Sequence, residues 1–251
     1  GSGRVRITGA SEPKPKRVKR GMEEAERTVR RAAEPRRVVI TGMGIMTPLG
    51  SDLTDFWKRL TAGESGIGPV TRFDITRYDT RIAGEVKDFR AEDYMDRKDV
   101  RRADLFVQYA IAGTSKAVAQ AGIQDGNVDP DRYGVVIGSG IGGIATFEDQ
   151  HKNLMEKGPS RVSPFFIPMM ISDMASGMVS IQFGAKGPNY CTVSACSSGA
   201  HAVGDAYRII QRGEADVMIT GGSEAPITPV AFAGFCSMKA MSTRNDEPTR
   251  A

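Results

Sequence analysis

Short apolar runs closed by glycine, each followed by a helical pattern, recur along this chain and constrain its fold more than any other feature. Arg36-Arg-Val-Val-Ile-Thr-Gly42 reads as a buried strand, Tyr133-Gly-Val-Val-Ile-Gly138 as a second, and Ala215 to Thr220 as another ending in Gly221-Gly222. Tyr190 to Ala195, after Gly187-Pro188, carries a strand pattern too, and Arg81 to Val86 a weaker one. Between them lie helical patterns. One is capped at Ser51 or Asp52 and runs through Leu60, with Phe56, Trp57 and Leu60 on one flank. The longest covers residues 99 to 121 and stops at Gly122, with Leu105, Tyr109, Ala112 and Ala117 as core candidates. Others run from about Ala145 to Lys157, from about Ser172 to Phe183, and over residues 197 to 212, and Ser163-Pro-Phe-Phe-Ile-Pro168 reads as a loop. Strands alternating with helices imply parallel pairing with helices on the sheet faces, hence an α/β layered fold and neither a sandwich of sheets nor a bundle.

Charge and composition narrow the function classes. The 251 residues carry a net charge of +4, but residues 1 to 37 hold 12 Lys or Arg against 5 Asp or Glu, so the body of the chain is mildly acidic. Residues 1–35 have too few large apolar side chains to fold alone, and read as a basic disordered extension or the remnant of a tag. A basic arm of this kind can touch nucleic acid, but a solvated arm is the simpler reading, and no nucleic-acid partner is expected. The folded domain is expected over 36–251. No apolar run approaches the ~18 residues of a membrane span. The 3 cysteines, Cys191, Cys196 and Cys236, lack the CxxC pairing of a zinc or redox site, so no metal is expected and a reducing compartment fits best. Gly138-Ser-Gly-Ile-Gly-Gly143 follows a strand but departs from the dinucleotide fingerprint, so it reads as a tight turn and no cofactor is expected.

Thr192-Val-Ser-Ala-Cys-Ser-Ser-Gly-Ala200 sets a cysteine where a strand hands over to a helix, amid residues small enough for a sharp turn. Unpaired N–H groups and the positive dipole end at a helix start favour a thiolate, which makes Cys196 a candidate nucleophile. Free cysteine is also a common small core residue, and spacing alone leaves both readings open. The next turns favour the first. Ala200, Ala202, Gly204 and Ala206 are small, while Val203, Tyr207 and Ile210 form an apolar stripe, which predicts a helix buried between layers and Cys196 at the foot of an enclosed cleft. The chain has 2 histidines. His201 stands five residues on, about 140° off the cysteine's face of a helix, so the two form no dyad. His151 lies in a polar helical stretch. Arg97-Lys-Asp-Val-Arg-Arg102 is a basic cluster placed at the start of the long helix, where cations oppose the dipole, and that favours an anionic partner.

Val38-Val-Ile-Thr-Gly-Met-Gly-Ile-Met-Thr-Pro-Leu-Gly50, the loop Gly138 to Gly143, Ser163 to Pro168, Val193-Ser-Ala-Cys-Ser-Ser-Gly199, Gly221-Gly-Ser-Glu224 and Ser242-Thr-Arg-Asn-Asp246, in that order, resemble the amino-terminal half of a β-ketoacyl-acyl carrier protein synthase of type II. The resemblance implies a thiolase-like fold, here the amino-terminal half of an α-β-α-β-α sandwich, truncated at its end. It implies an acyltransferase that elongates fatty acids. Cys196 takes an acyl chain as a thioester, its backbone N–H serves as one oxyanion-hole donor, and two histidines of the family's carboxyl-terminal half assist decarboxylation of malonyl-acyl carrier protein before a Claisen condensation.

By position, the resemblance places Ile141, Phe166, Ile167 and Phe235 on the acyl-chain pocket, with Phe166 and Ile167 reaching across a homodimer interface. Lys98, Arg101, Arg102 and Lys239 would meet the acidic acyl carrier protein, the expected partner. The catalytic histidines are missing, so the chain by itself is expected to be inactive, with the other half lost or supplied as a separate chain. The setting implied is cytoplasmic, or else the plastid stroma. The competing reading is a non-catalytic scaffold resembling the chain-length factors that partner condensing enzymes, which typically lack the cysteine.

Overall fold

The computed structural model describes residues 36–251, with Val38–Ala251 as a compact unit. The expected basic extension, 1–35, lies outside the described residues. At the centre is a parallel sheet in the order β4 (Asn189–Tyr190), β3 (Tyr133–Gly138), β5 (Val217–Gly222). β3 and β5 run in register from Tyr133 opposite Val217 to Gly138 opposite Gly222. A small antiparallel pair, β1 (Gly68–Pro69) with β2 (Ile82–Ala83), stands apart from it, and β2 falls within the weak strand pattern at 81 to 86.

The composition of β3 explains how helices cover this sheet. Every β3 residue is buried. Tyr133, Val135 and Ile137 point to one side, into a cluster with Phe106, Val107 and Ile111 of α3 (Leu105–Ala121) and Ala175 and Val179 of α6 (Met174–Phe183). The intervening Gly134, Val136 and Gly138 face the other side, where α7 (Ser198–Gln211) packs through Ala202 and Ile209. A Cβ on Gly138 would collide with the backbone of Ser198, so glycine there is what lets the start of α7 reach the end of the strand. Full burial of side chains such as Phe106 or Val179 is worth about 1.5–3 kcal/mol each, and this two-helix side supplies most of the core.

Three expectations are corrected. Arg36 to Gly42 forms no strand. Val39 and Ile40 are 66% and 78% exposed, and the chain from Gly42 to Gly44 runs against α3, where a Cβ on Gly42 or Gly44 would strike the carbonyls of Ala117 and Gly113. The glycines that were read as ending a strand serve this close approach to a helix. The long helix starts at Leu105 and not at 99. Asp104, buried, accepts from the Phe106 N–H at 3.4 Å as its cap, and from the N–H and hydroxyl of Thr146 at 3.0 and 2.6 Å, so residues 97–102 form a separate short helix, α2 (Arg97–Val100), and a turn. The basic cluster therefore does not oppose the dipole of α3. Finally, α7 is covered on one side only. Ala202, Ala206 and Ile209 are buried, whereas Val203 and Tyr207 are 46% and 40% exposed, and Ala200 and Gly204 are exposed with them.

The remaining helices are α1 (Leu53–Thr61), capped by Asp52, α4 (Ile144–Lys157), α5 (Phe166–Met170) and α8 (Pro229–Ser237). α5 starts inside the stretch read as a loop and runs two residues past it; Pro168 falls in its first turn, where a missing N–H does no harm. Among the described residues no helix is long and apolar enough to cross a membrane.

Candidate active site

Cys196 sits in a single tight turn, Ala195–Ser197, that leads into α7. The turn is held by one buried hydroxyl. Ser198 Oγ accepts from the Ser194 N–H at 2.9 Å and donates to the Ala195 carbonyl at 2.7 Å, while Thr192 Oγ1 donates to the Ser198 carbonyl at 2.8 Å. Ala195 has φ of +52°, the left-handed region that a residue with a Cβ rarely adopts, at a cost of about 1–3 kcal/mol. Such strain persists only where neighbours over-determine it, and it aims the next residue out of the turn. The Ser197 N–H bonds back to Ser194 at 3.1 Å and that of Ser198 to Ala195, so the Cys196 N–H precedes the first bond of the turn. The side chain of Cys196 is exposed, which corrects the expected enclosed cleft. Val203 and Tyr207 of α7 are exposed as well.

Cys191, five residues earlier, differs. It is half-buried, its Sγ donates to the Thr192 carbonyl at 3.4 Å, and burial pushes its thiol up from the ordinary value. Neither histidine is arranged as a base for Cys196. His201 Nδ1 lies 2.6 Å from Ser194 Oγ, and His151 stacks on Phe147 with ring centroids 6.2 Å apart.

The glycine-rich loop adjoins this turn. A Cβ on Gly140 would stand 3.3 Å from Ala195 Cα, and one on Gly142 would stand 2.7 Å from the Met170 carbonyl, to which the Gly143 N–H donates at 3.0 Å. Ile141, 38% exposed, thus lies on a loop between the cysteine turn and the end of α5. Phe166 of α5 is half-buried with its ring 6.3 Å from that of Phe147, and Ile167 is exposed. Lys98, Arg101 and Arg102 are exposed, and the guanidinium of Arg102 lies 4.5 Å over the ring of Phe165, next to Phe166. Cys196, Ile141, Phe166, Ile167 and the basic cluster are therefore linked through adjoining segments. Phe235 and Lys239 are reached through α4, whose Glu148 neighbours the Phe147 that meets Phe166. They lie on and just after α8, which packs through Phe232 against Phe73 and Tyr78, and whose start is held by Glu148, bonded to Thr228 Oγ1 and the Val230 N–H.

Residues 35–251 match the family model described as the N-terminal domain of β-ketoacyl synthase. The chain belongs to the β-ketoacyl synthase family. It is 51% identical over 218 residues to the 3-oxoacyl-[acyl-carrier-protein] synthase 2 of Synechocystis, a match covering 87% of this chain and 52% of that protein. Among solved structures, a β-ketoacyl synthase from Burkholderia phymatum superposes with a TM-score of 0.76 at 32% identity, covering 86% of this chain and 53% of that one. A ketosynthase solved in complex with its type II acyl-carrier protein does so with a TM-score of 0.73 at 26% identity, covering 84% and 51%. The layers described above are those of the thiolase-like α/β fold of this family. The chain spans about half the length of the curated relatives it matches.

One residue beside the candidate site escaped the sequence reading. Glu224, in the Gly221-Gly-Ser-Glu motif, binds the glycine-rich loop through its carboxylate. The motif was visible, but no spacing rule ties it to a loop more than 80 residues earlier.

Proposed function

We propose that the protein carrying this chain is an elongating condensing enzyme in which Cys196 accepts an acyl group from acyl carrier protein. The observation that carries the reading is the strained, hydroxyl-pinned turn that presents Cys196 at the start of α7 beside the loop of Ile141. The thiolate of Cys196 attacks the carrier-bound thioester, its Sγ–C bond forms as the carrier's sulfur leaves, and the Cys196 N–H, free of the turn's own bonds, faces the developing oxyanion. Malonyl-acyl carrier protein then loses CO2, and the resulting carbanion attacks the carbonyl carbon of the new thioester, whose C–S bond breaks to return the Cys196 thiolate and leave the lengthened acyl chain on the carrier. The two histidines that assist this second half-reaction belong, by the family resemblance, to the carboxyl-terminal half.

Ile141, Phe166 and Ile167 line the pocket that takes the acyl chain, joined by Phe235, with Phe166 and Ile167 contributed across a homodimer. The carrier protein docks on Lys98, Arg101 and Arg102, with Lys239 as a further contact. The stack of Arg102 on Phe165 supports this reading, since it holds a cation beside the segment that leads to the pocket. The enzyme works in the cytoplasm on fatty acids.

The test is acyl transfer to the full-length protein. Incubation with acyl-acyl carrier protein is expected to add one acyl mass to the peptide that bears both Cys191 and Cys196, with fragmentation placing it on Cys196, and Cys196→Ala is expected to abolish it. An unacylated wild type would sink the condensing reading in favour of a scaffold of the same fold. Replacing Arg101 and Arg102 by Ala is expected to raise KM for the carrier protein while leaving kcat within about twofold, and added salt should have the same effect on the wild type.

A further inference from the structure

Glu224 follows β5 directly and turns back across the end of the sheet. Ser223 starts the turn, its N–H donating to the Gly138 carbonyl at 3.0 Å and its hydroxyl to the Phe106 carbonyl at 2.6 Å. The Glu224 carboxylate then meets the glycine-rich loop. One oxygen accepts from the N–H groups of Gly140 at 2.6 Å and Ile141 at 3.1 Å; the other accepts from the Gly142 N–H at 3.3 Å and the Ser139 hydroxyl at 3.1 Å. Three successive backbone N–H groups converging on one anion form a nest, a shape that ordinarily holds a phosphate or a carboxylate of a ligand. Here the anion belongs to the chain itself.

The nest has two neighbours that matter. Gly140 abuts Ala195, where a Cβ would stand 3.3 Å from both its Cα and its carbonyl oxygen, and Gly142 and Gly143 abut the end of α5 at Met169 and Met170. The middle residue is Ile141, whose side chain is free of the nest because only its N–H is used. A loop of glycines has no side-chain packing of its own to fix such a residue, and it loses more conformational freedom on ordering than any other sequence. Glu224 supplies the missing restraint with charge-assisted hydrogen bonds, the stronger kind.

We propose that Glu224 is a positioning residue that sets acyl-chain selectivity by holding the backbone of Ile141 between the Cys196 turn and α5. This rests on the condensing reading above, with Ile141 as part of the pocket wall. The hydrogen bonds of Glu224 go to the loop, so it acts through Ile141. Its carboxylate geometry is essential to the role. In Glu224→Gln an NH2 group replaces one acceptor and faces N–H donors, and in Glu224→Asp the side chain is one methylene short of the nest.

The experiment pairs hydrogen exchange with competition between donors, on the full-length protein. In the wild type the amides of Gly140, Ile141 and Gly142 are expected to be protected although they lie outside any helix or strand; exchange at the rate of an open loop would overturn the proposal without any variant. In Glu224→Gln those amides are expected to exchange roughly tenfold faster or more, in line with the loss of one to two charge-assisted bonds. The ratio of Cys196 acylation rates from long- and short-chain acyl-carrier proteins is expected to shift at least about threefold, with the short-chain rate itself within about twofold of wild type. Faster exchange with an unchanged ratio would reduce Glu224 to a structural tie and overturn its role in selectivity. A wild type that takes no acyl group from any donor would defeat the functional reading, and is told apart because the exchange arm does not depend on acylation.

Discussion

The two faces of the central sheet are built differently. Toward α3 and α6, β3 presents Tyr133, Val135 and Ile137, and the two helices bury them with Phe106, Ile111 and Val179, none of which is exposed. Toward α7 the same strand presents Gly134, Val136 and Gly138; Met218 of β5 lies against Gly134, and α7 covers Val136 and Gly138 with Val203 and Tyr207 exposed on its other side. The packed face holds the fold together. The sparse face brings backbone close to backbone, and that closeness places the Cys196 turn, since the end of β3, the start of α7 and the end of β5 meet through Gly138, Gly199 and Gly222. A Cβ on Gly199 would stand 3.1 Å from Gly222 Cα, a distance that packed side chains could not allow.

Substitutions on the two faces should separate these roles. Phe106→Ala is expected to have the largest effect on stability, about 3–5 kcal/mol by urea unfolding, because the residue is fully buried between two layers. A loss below about 1 kcal/mol would mean that the packed face is not what holds the unit. Gly138→Ala is expected to cost about 1–3 kcal/mol by over-packing, and in addition to slow alkylation or acylation at Cys196 by displacing Ser198. The functional loss beyond the stability loss marks the sparse face; if both fall in parallel, the contrast drawn here fails.

Tyr133→Phe is expected to gain up to about 1 kcal/mol. The ring is buried in the packed face and its hydroxyl has no hydrogen-bond partner among the described residues, so the variant removes an unsatisfied group and keeps the packing. Burial pushes the Tyr133 hydroxyl up to about 12, above its ordinary 10.0. The folded state thus binds the proton more tightly than the unfolded one. Its contribution is complete below pH 10 and declines as pH rises from there through about 12, and Tyr133→Phe should flatten that alkaline decline. Val203→Ser, on the exposed side of α7, is expected to change stability by no more than about 0.5 kcal/mol. A larger loss in the full-length protein would show that this side is covered there.

Much of this architecture was legible from local pattern. Tyr133–Gly138 emerged with the bounds its apolar run suggested, and α7 and β5 fell within a residue or two of theirs. These elements are read correctly because burial and local preference agree in them. The misreadings share a cause. In Arg36 to Gly42 the residues prefer a strand, but a strand exists only where another pairs with it, and the segment lies against a helix through Gly42 and Gly44. The start of α3 was misplaced because Asp104 had to be recognised as a cap, and the bond from Thr146 that rewards it comes from far along the chain. The candidate site divides the same way. Cys196 could be found from its small neighbours and the helix that follows it, although the strand expected over Tyr190 to Ala195 ends at Tyr190, whereas its exposure and the grip of Glu224 on the loop of Ile141 depend on what lies nearby in space.

The order of residues, by itself, determined that strands and helices alternate and that one cysteine stands at the head of a helix. Those are properties of neighbours in the chain, where hydrophobic period and backbone preference act directly. Which strand pairs with which, how far α7 is covered, and where the carboxylate of Glu224 comes to rest were decided only by the tertiary structure, because hydrogen bonds and burial are satisfied between atoms close in space, however distant their residues are in the chain.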